Sequence, residues 1–385
     1  MLVCTSFFEP EKGAAPHRVT TMAASLRAEV TVITPLANYP TGKFFSGQFQ
    51  KILRTETSQG VRIKRYWMMP TNSNSAIVRM ICMVVTSLAA YLTTVKHLLF
   101  NPHYDKIIIQ TPPLTSAFAY QLAVLPFKRH CVLNVSDIWP STAVDLGAMS
   151  EGSTSWKAFK YMEVFLYKKA NSLIAQSKET SHYLESYSDR PQLLFRNLTP
   201  TLSNPRKIET GKVKIIYAGL LGIAQDVATI CKAVDWDSFN AELHVYGDGN
   251  QKEIIANLCL PGVHYHSPIP KSEIQKLMSQ FDFSLVPLKT YIFGAFPSKI
   301  TAAVASSVPI LFVGQGEGAS TVESLNIGKA FDFEELSDLE KYLEHYNDNR
   351  ESECEAFQTH LIHAQNHVFN VEANNNSLND FVLNL

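Results

Sequence analysis

Short β-rich segments alternate with helix-length segments along almost the whole chain, and this alternation constrains the fold most. In the first half, β-rich segments lie near 2–7, 29–34, 61–66, 106–110, 131–135 and 172–175. In the second half, they lie near 213–217, 241–246, 263–266, 283–286 and 309–313. Strands joined by crossover helices pair in parallel, because each helix returns the chain to the same edge of the sheet. The sequence therefore predicts an α/β protein of two Rossmann-like domains facing each other across a deep cleft.

A change of composition near residue 200 predicts the domain boundary. Residues 198–212 carry the turn-forming and polar residues of a linker. Residues 1–200 hold 21 Lys and Arg against 12 Asp and Glu, whereas residues 201–385 hold 13 against 23. We expect an N-terminal domain over 1–200, a C-terminal domain over 201–365, and a helix over 366–385 that packs back on the N-terminal domain.

The uneven charge indicates what each half contacts. The formal net charge is −1, which argues against a general nucleic-acid-binding protein. A basic first half suits an anionic surface such as a bilayer or a lipid phosphate, and attraction between the two domains is the alternative. A basic, aromatic segment supports the membrane interpretation; it contains Lys51, Arg54, Arg62, Lys64, Arg65 and Trp67.

The apolar stretch that follows is too short to predict a membrane span. Residues 80–95 are uncharged, but a spanning helix needs about 20 apolar residues and four Ser and Thr interrupt this stretch. We expect a buried or surface-lying helix over 77–99. The six cysteines form no Cys-x-x-Cys pair, and the N-terminus carries no recognisable signal peptide, so reduced thiols in a cytoplasmic protein are expected.

Glycine-rich segments follow the first strand of each predicted domain. Gly13-Ala14-Ala15-Pro16-His17-Arg18 precedes a helix, and Tyr217-Ala218-Gly219-Leu220-Leu221-Gly222 repeats the arrangement. Small residues allow a ligand to approach the backbone, and free N–H groups at a helix N-terminus favour an anion. Gly247-Asp248-Gly249 after the next strand is interpreted as a plain turn.

The segment Phe293-Gly294-Ala295-Phe296-Pro297-Ser298-Lys299 is the most specific of these signals. It leads into a helix that Ser298 would cap, and the Lys299 ammonium beside that N-terminus predicts a diphosphate site. Gly314-Gln315-Gly316-Glu317-Gly318 is a further glycine turn before a helix. Two successive loops of this kind at strand carboxyl ends predict a ligand crevice.

Asp137 is the candidate acid or base of the first domain. It follows a predicted strand in Asn134-Val135-Ser136-Asp137-Ile138-Trp139-Pro140, where it would hold a substrate hydroxyl or cap a turn. His264-x-His266 is interpreted as an ordinary strand pair, because no third histidine or carboxylate obviously joins it. The sequence holds none of the common zinc-protease, serine-hydrolase or P-loop motifs.

Taken together, these motifs resemble family 4 glycosyltransferases of the GT-B fold. The resemblance rests on the Gly13 and Gly219 segments, Asn38-Tyr39-Pro40-Thr41-Gly42, Asp137-Ile138-Trp139-Pro140 and Pro297-Ser298-Lys299. The chain looks most like the branch that builds bacterial O-antigen or capsule repeats, which includes N-acetylfucosamine transferases. The resemblance implies transfer, with retention, from a nucleotide-diphosphate sugar, UDP-linked, to a polyprenyl-diphosphate-linked saccharide. It implies no required metal or cofactor and peripheral attachment to the inner face of the cytoplasmic membrane.

The resemblance also implies a role for individual residues. Asp137 and Lys299 would be catalytic. The nucleotide sugar would be bound by Gly13, Ala14, Gly219, Gly222, Ser298, Lys299, Gly316, Glu317 and Glu323. The acceptor side would hold His17, Arg18, Asn38, Tyr39 and Trp139.

The chain departs from the family pattern at the nucleotide ribose. Many members carry a Glu-x7-Glu motif whose second Glu binds the ribose, and the corresponding residues here are Gly294 and Ala302. A basic residue common after the second glycine loop is replaced by Ile223-Ala224-Gln225. Two alternatives therefore stay open: a nucleotide-sugar 2-epimerase on the same scaffold, and a degenerate transferase that acts as a partner or scaffold.

Overall fold

The chain folds into two units, each built on one twisted sheet. The computed structural model describes residues 1–11, 13–39, 41–45, 53–73, 75–202 and 211–384, without the side chains of residues 53, 54, 271 and 272. One unit comprises Met1–Asn197 and Glu372–Leu385, and the other comprises Leu198–Val371. Lys51, Pro40 and most of the predicted linker 198–212 lie outside the described residues, as does the side chain of Arg54.

The first unit has an eight-stranded sheet in the order β3-β4-β2-β1-β5-β6-β7-β8, parallel except that β3 is antiparallel to β4. Its strands are β1 (Leu2–Cys4), β2 (Thr31–Pro35), β3 (Leu53–Ser58), β4 (Val61–Tyr66), β5 (Lys106–Thr111), β6 (His130–Val135), β7 (Ser172–Ala175) and β8 (Gln192–Leu194). Its helices are α1 (Ala14–Ser25), α2 (Ala76–Phe100), α3 (Leu114–Val124), α4 (Ser141–Asp145), α5 (Thr154–Lys169) and α6 (Lys178–Glu185). The polar strand β3 is one of two strands that the sequence pattern missed, and the other, Gly328–Phe331, lies in the second unit.

The second unit has a six-stranded, all-parallel sheet in the order β11-β10-β9-β12-β13-β14. Its strands are β9 (Val213–Leu220), β10 (Ala241–Asp248), β11 (Val263–His266), β12 (Phe283–Leu288), β13 (Ile310–Gly314) and β14 (Gly328–Phe331). Its helices are α7 (Val227–Ala233), α8 (Lys252–Ala256), α9 (Lys271–Met278), α10 (Ser298–Ala305), α11 (Glu317–Ser324), α12 (Ser337–Asp348) and α13 (Arg350–His367). A final helix, α14 (Val371–Leu383), packs on the first unit.

Central strands are apolar without alternation because helices cover both faces of each sheet. Ile107, Ile108 and Ile109 of β5 are all fully buried, and so are Ile310 to Val313 of β13. Continuous apolar runs are typical of parallel strands for this reason. The α/β prediction from these runs is therefore confirmed.

Helix α2 is exposed rather than buried. Cys82, Thr86, Ala90, Thr94 and Leu98 form its buried stripe. By length and composition its 25 residues would suffice to cross a membrane, and only 17% of its most apolar window is buried. The sequence argument that this stretch is too short to span a membrane is therefore wrong, and most of the helix surface is exposed in the structure.

Candidate functional site

Each sheet reverses its strand order at one point, which is where parallel sheets bind ligands. In the first unit β1 lies between β2 and β5, and in the second β9 lies between β10 and β12. Chains leave the two central strands in opposite directions there, so a crevice forms outside their carboxyl ends. The predicted glycine segments follow β1 and end β9, which puts both at these reversal points.

Gly219 and Lys299 contact each other at the reversal point of the second unit. Strand β9 continues through Leu220, so Gly219 ends a strand rather than lying in the loop that the sequence predicted. Its φ is +148°, and a Cβ added there would lie 2.7 Å from both Cε and Nζ of Lys299. A side chain at this position would displace the end of the Lys299 side chain, and the positive φ also favours glycine.

The Lys299 ammonium lies at a helix N-terminus and has no anionic partner among the described residues. Its Nζ lies 5.0 Å from the centroid of the Tyr217 ring, and in the described part of the chain no carboxylate comes within ion-pair distance of it. Burial lowers the pKa of Lys299 to about 8. No side chain caps the N-terminus of α10, which begins at Ser298. The Ile300 amide donates to the Pro297 carbonyl at 3.0 Å, and the amides of Ser298 and Lys299 have no partner among the described residues. A cation and free amides together favour a phosphate.

A cavity of about 220 Å³ adjoins this contact. Its lining is formed by Ile216, Ala218, Gly219, Ile274, Met278, Ser284, Ser298, Lys299 and Ala302. Ala302 contributes only a methyl group to this wall. In the glycosyltransferases that the sequence resembles, the corresponding residue is a glutamate that binds the nucleotide ribose. The lining is therefore cationic at one end and mostly apolar elsewhere.

Four residues of the second unit that were predicted to bind the donor do not line this cavity: Gly222, Gly316, Glu317 and Glu323. Gly316, with φ +99°, precedes α11, and Glu317 is buried in the first turn of that helix. The carboxylate of Glu323 accepts a hydrogen bond from the Ala330 amide at 2.6 Å, which fixes α11 to β14. A role for these residues at the sugar stays a prediction.

Sequence reasoning missed a second charged cluster beside the glycine loop. The Gly222 carbonyl accepts from the Asp226 amide at 3.1 Å. Lys289, at the end of β12, donates to Asp226 at 2.5 Å, and Gln251 donates to the same carboxylate at 2.6 Å. Burial opposes ionisation, but these hydrogen bonds and one from Thr229 lower the pKa of Asp226 overall. Lys289 therefore places a cation beside the loop that contains Ile223-Ala224-Gln225. Lys289 and Asp226 are 63 residues apart in the sequence, so no local pattern predicts their pairing.

The glycine segment of the first unit packs against the predicted acceptor loop. Gly13 has φ +134°, and a Cβ there would lie 3.1 Å from Cε1 of Tyr39. The Tyr39 ring meets Phe7 edge-to-face at 5.4 Å, and Asn38 donates to the carbonyl of Leu36 at 3.1 Å. Gly13 and Tyr39 are therefore neighbours in the first unit, and the roles predicted for Gly13, Ala14, Asn38 and Tyr39 stay predictions.

Glu11 positions this loop, a role that the sequence did not indicate. One carboxylate oxygen accepts from the amides of Asn38 and Tyr39, both at 2.9 Å, and the other accepts from Phe8 at 3.2 Å. The residue is 7% exposed. Burial raises the pKa of Glu11 despite these hydrogen bonds, so the three amides compensate for a costly desolvation.

Asp137 and Arg18 are neighbours without a direct ion pair. Asp137 follows β6 as predicted, and burial raises its pKa while the charge of Arg18 lowers it. Burial lowers the pKa of Arg18, and its Nε makes no hydrogen bond to any described residue. His17 is exposed on the preceding turn. An unpaired guanidinium beside a carboxylate of raised pKa suits an anionic substrate with a hydroxyl group.

A buried amide network holds the segment that ends at Asp137. Asn134 donates to Gln110 at 2.7 Å, Gln176 donates to Asn134 at 3.2 Å, and Gln110 donates to Ser136 at 2.6 Å. Each partner is satisfied, so the network fixes the strand ends rather than weakening them. The Trp139 ring packs against Phe159, with the two ring centroids 6.2 Å apart.

A second cavity, of about 250 Å³, adjoins the loop of Asn38. Most of its lining is apolar, and α2 forms one wall. The lining residues are Ser6, Phe7, Pro35, Asn38, Met68, Met69, Thr71, Arg79, Cys82, Met83, Thr86, Pro113, Thr115 and Ser116. This shape and composition suit an apolar chain rather than a sugar.

Comparison with solved structures identifies the architecture. Sucrose-phosphate synthase (tll1590) from Thermosynechococcus elongatus matches with a TM-score of 0.75 and 13% identity, covering 100% of this chain and 98% of that one. WaaG, a glycosyltransferase involved in lipopolysaccharide biosynthesis, matches at 0.67 and 14%, covering 99% of each. The chain has the GT-B fold. Anabaena Alr3699/HepE, solved in complex with UDP-glucose, matches at 0.69 and 14%, covering 100% and 99%.

Comparison of the sequence alone identifies no family for this chain. No protein-family model matches the chain, and no curated protein matches it in sequence. The likeness is therefore one of fold, and the predicted family 4 membership stays a prediction.

Proposed function

We propose that this protein is a retaining glycosyltransferase that takes its sugar from a nucleotide diphosphate, UDP in the first instance. The observation that carries the proposal is the contact of Lys299 with Gly219: an unpaired, half-buried ammonium beside the free first-turn amides of α10. Nothing in the described chain neutralises it. An anionic leaving group would.

The chemistry of this site follows from charge. When the bond between the sugar carbon and the diphosphate oxygen breaks, the electron pair leaves with the oxygen, and Lys299 and the amides stabilise the new charge. The acceptor oxygen forms the new bond to that carbon and loses its proton. Asp137, whose pKa burial raises, is the group that we propose holds the acceptor hydroxyl and receives the proton.

We further propose that the acceptor is a saccharide on a polyprenyl diphosphate. The apolar cavity along α2 supports this, because a lipid chain would fill it and Arg79 in its lining would meet a phosphate. WaaG, of the same fold, is involved in lipopolysaccharide biosynthesis. A role in O-antigen or capsule synthesis, at the cytoplasmic face of the membrane, follows from such an acceptor.

One observation favours a second candidate. Ala302 lines the cavity where a ribose acceptor is expected, so the chain also suits a degenerate transferase that serves as a partner in a biosynthetic complex. The loss of two charge-assisted hydrogen bonds weakens ribose binding by roughly 2–3 kcal/mol. Measured nucleotide binding decides between the two.

The experiment is a thermal-shift panel of UDP, GDP, CMP and their common sugar conjugates. A nucleotide at about 100 times its Kd adds about 2.7 kcal/mol of stability and shifts Tm by several degrees. We expect one nucleotide to give that shift, Lys299→Ala to abolish it, and Lys276→Ala, an exposed lysine on α9, to retain it. No shift with any nucleotide would overturn the transferase proposal and favour the partner role.

A further inference from the structure

Strands β10 and β11 bring four chemically active side chains onto one face of the second sheet. The two strands pair in parallel, with His244 opposite His264 and Tyr246 opposite His266. Glu242 lies two residues before His244, so it points to the same face. The sequence interpretation of His264 and His266 as an ordinary pair assumed that no third ligand joins them, and the neighbouring strand supplies one.

The three side chains at the lower end of this face converge on one point. Nε2 of His244 lies 3.1 Å from Oε1 of Glu242, and Nε2 of His264 lies 3.7 Å from Oε2. One potential ligand atom from each residue lies within 4.8 Å of the others. A tetrahedral ion with bonds of 2.0–2.1 Å needs ligand atoms about 3.3 Å apart. Small rotations of the side chains therefore reach metal-binding geometry.

The surroundings favour a metal over a simple ion pair. Nε2 of His244 is inaccessible to solvent and makes no aligned hydrogen bond, although Glu242 is close. Its other ring nitrogen, Nδ1, lies 3.0 Å from Nε2 of His266, and the two rings stack 5.2 Å apart. A metal-binding histidine is oriented by a hydrogen-bond partner at its second ring nitrogen, and His266 lies within that distance.

Charge and solvent access are consistent with an open coordination position. His264 is 47% exposed at its side chain, whereas Glu242 and His244 are each 19% exposed, so water can reach one side. Lys214, on β9, lies opposite Glu242 in the sheet. Its positive charge repels a cation, and the Glu242 carboxylate offsets that repulsion.

We propose that Glu242, His244 and His264 bind one divalent transition-metal ion of the Zn²⁺ class, with His266 as the partner that orients His244. The ion joins the edge strand β11 to β10. Its place is structural: the same face continues through Ile216 and Ala218 of β9, which line the donor cavity, so a fixed β10–β11 edge supports that wall. The proposal does not depend on sugar transfer.

Isothermal titration of the chelator-treated full-length protein with Zn²⁺ tests the site. We expect one tight site, weakened at least about 100-fold by His244→Ala or His264→Ala and about 10- to 100-fold by His266→Gln. Control variants are His363→Ala, from an exposed histidine pair on α13, and Cys259→Ser, an exposed thiol. Both should leave the tight site unchanged.

The absorption spectrum of bound Co²⁺ provides a second test that does not depend on the heat of binding. Co²⁺ at this site should give visible ligand-field bands that Zn²⁺ displaces, and Glu242→Gln should change those bands in a protein whose circular dichroism is unaltered. Zn²⁺ should also raise the Tm of the wild type and leave that of His264→Ala where it was. The proposal is overturned if Zn²⁺, Ni²⁺ and Cu²⁺ show no one-to-one binding, or if the histidine variants bind as the wild type does.

Discussion

At the scale of single residues, two buried charges have opposite surroundings. Glu11 has three amide donors, and its place is explained by the loop that it holds. Lys299 has an aromatic face and a glycine backbone but no anion among the described residues. A charge without an anionic partner in such a place lowers stability, and the proposed diphosphate would offset that cost.

Replacing Lys299 with Met should therefore stabilise the protein. Its folded pKa, about 8, lies below the ordinary value of 10.5, so the charged lysine opposes folding below pH 8 and ceases to do so as the pH rises toward 10.5. We expect Lys299→Met to gain about 2–3 kcal/mol at pH 7 and little at pH 10.5. Urea unfolding at both pH values measures this, and a loss of stability at pH 7 would contradict it.

Removing the Glu11 carboxylate should have the opposite effect. Glu11→Ala leaves three amides without their acceptor, at a cost of about 2–4 kcal/mol, whereas Glu11→Gln loses about 1 kcal/mol. Urea unfolding of the two variants measures the difference. Glu9→Ala, two residues before, serves as the control, and equal losses in Glu11→Ala and Glu11→Gln would show that the hydrogen bonds to the loop are not what matters.

At the scale of elements, helix α2 has apolar residues on both its buried and its exposed face. Its buried stripe of Cys82, Ala90 and Leu98 packs toward the sheet and α3. The opposite face is apolar as well; its exposed residues are Ile77, Met80, Ile81, Val84, Leu88, Leu92, Leu99 and Phe100. The helix carries Arg79 and Lys96 but no carboxylate. Exposed apolar surface with basic residues is typical of helices that lie in a membrane interface.

The exposed face of α2 should therefore bind anionic liposomes. The double variant Leu88→Glu and Leu92→Glu removes two residues that are 57% and 56% exposed, and it should lower partitioning about 10- to 100-fold with little change in stability. Co-sedimentation with liposomes at low salt measures this.

Ile362→Glu on α13 is the matched control, because that residue is 53% exposed in the second unit. It should partition as the wild type does. Wild-type protein that ignores anionic liposomes would disprove the membrane role of α2.

At the scale of the whole molecule, the last helix belongs to the unit where the chain began. Leu378 and Val382 of α14 lie in the same apolar cluster as Val3 and Val19. Asn379 accepts from the Arg27 amide at 2.6 Å and donates to the Ser25 carbonyl at 2.9 Å. These contacts join positions about 350 residues apart in the sequence. The residues that complete the first unit therefore follow the second unit along the chain.

Asn379→Ala should therefore destabilise the first unit. It leaves one part-buried N–H and one part-buried carbonyl without their partner, which costs about 1–2 kcal/mol. Thermal unfolding measures the loss, with Asp380→Ala, an exposed neighbour on α14, as the control. Equal Tm values for the two variants would show that this junction contributes nothing.

The amino-acid sequence by itself determined the two α/β units and the glycine and Pro-Ser-Lys segments, because these follow from local periodicity and turn chemistry. It also predicted that Lys299 lies at the start of a helix. Tertiary structure alone decided the contact between Lys299 and Gly219, the pairing of Lys289 with Asp226, and the hold of Glu11 on the Asn38 loop. It also decided that α2 stays exposed and that Glu242 and His244 meet His264. Each of these joins residues on different elements, and strand order and register, which no local pattern encodes, set which elements meet.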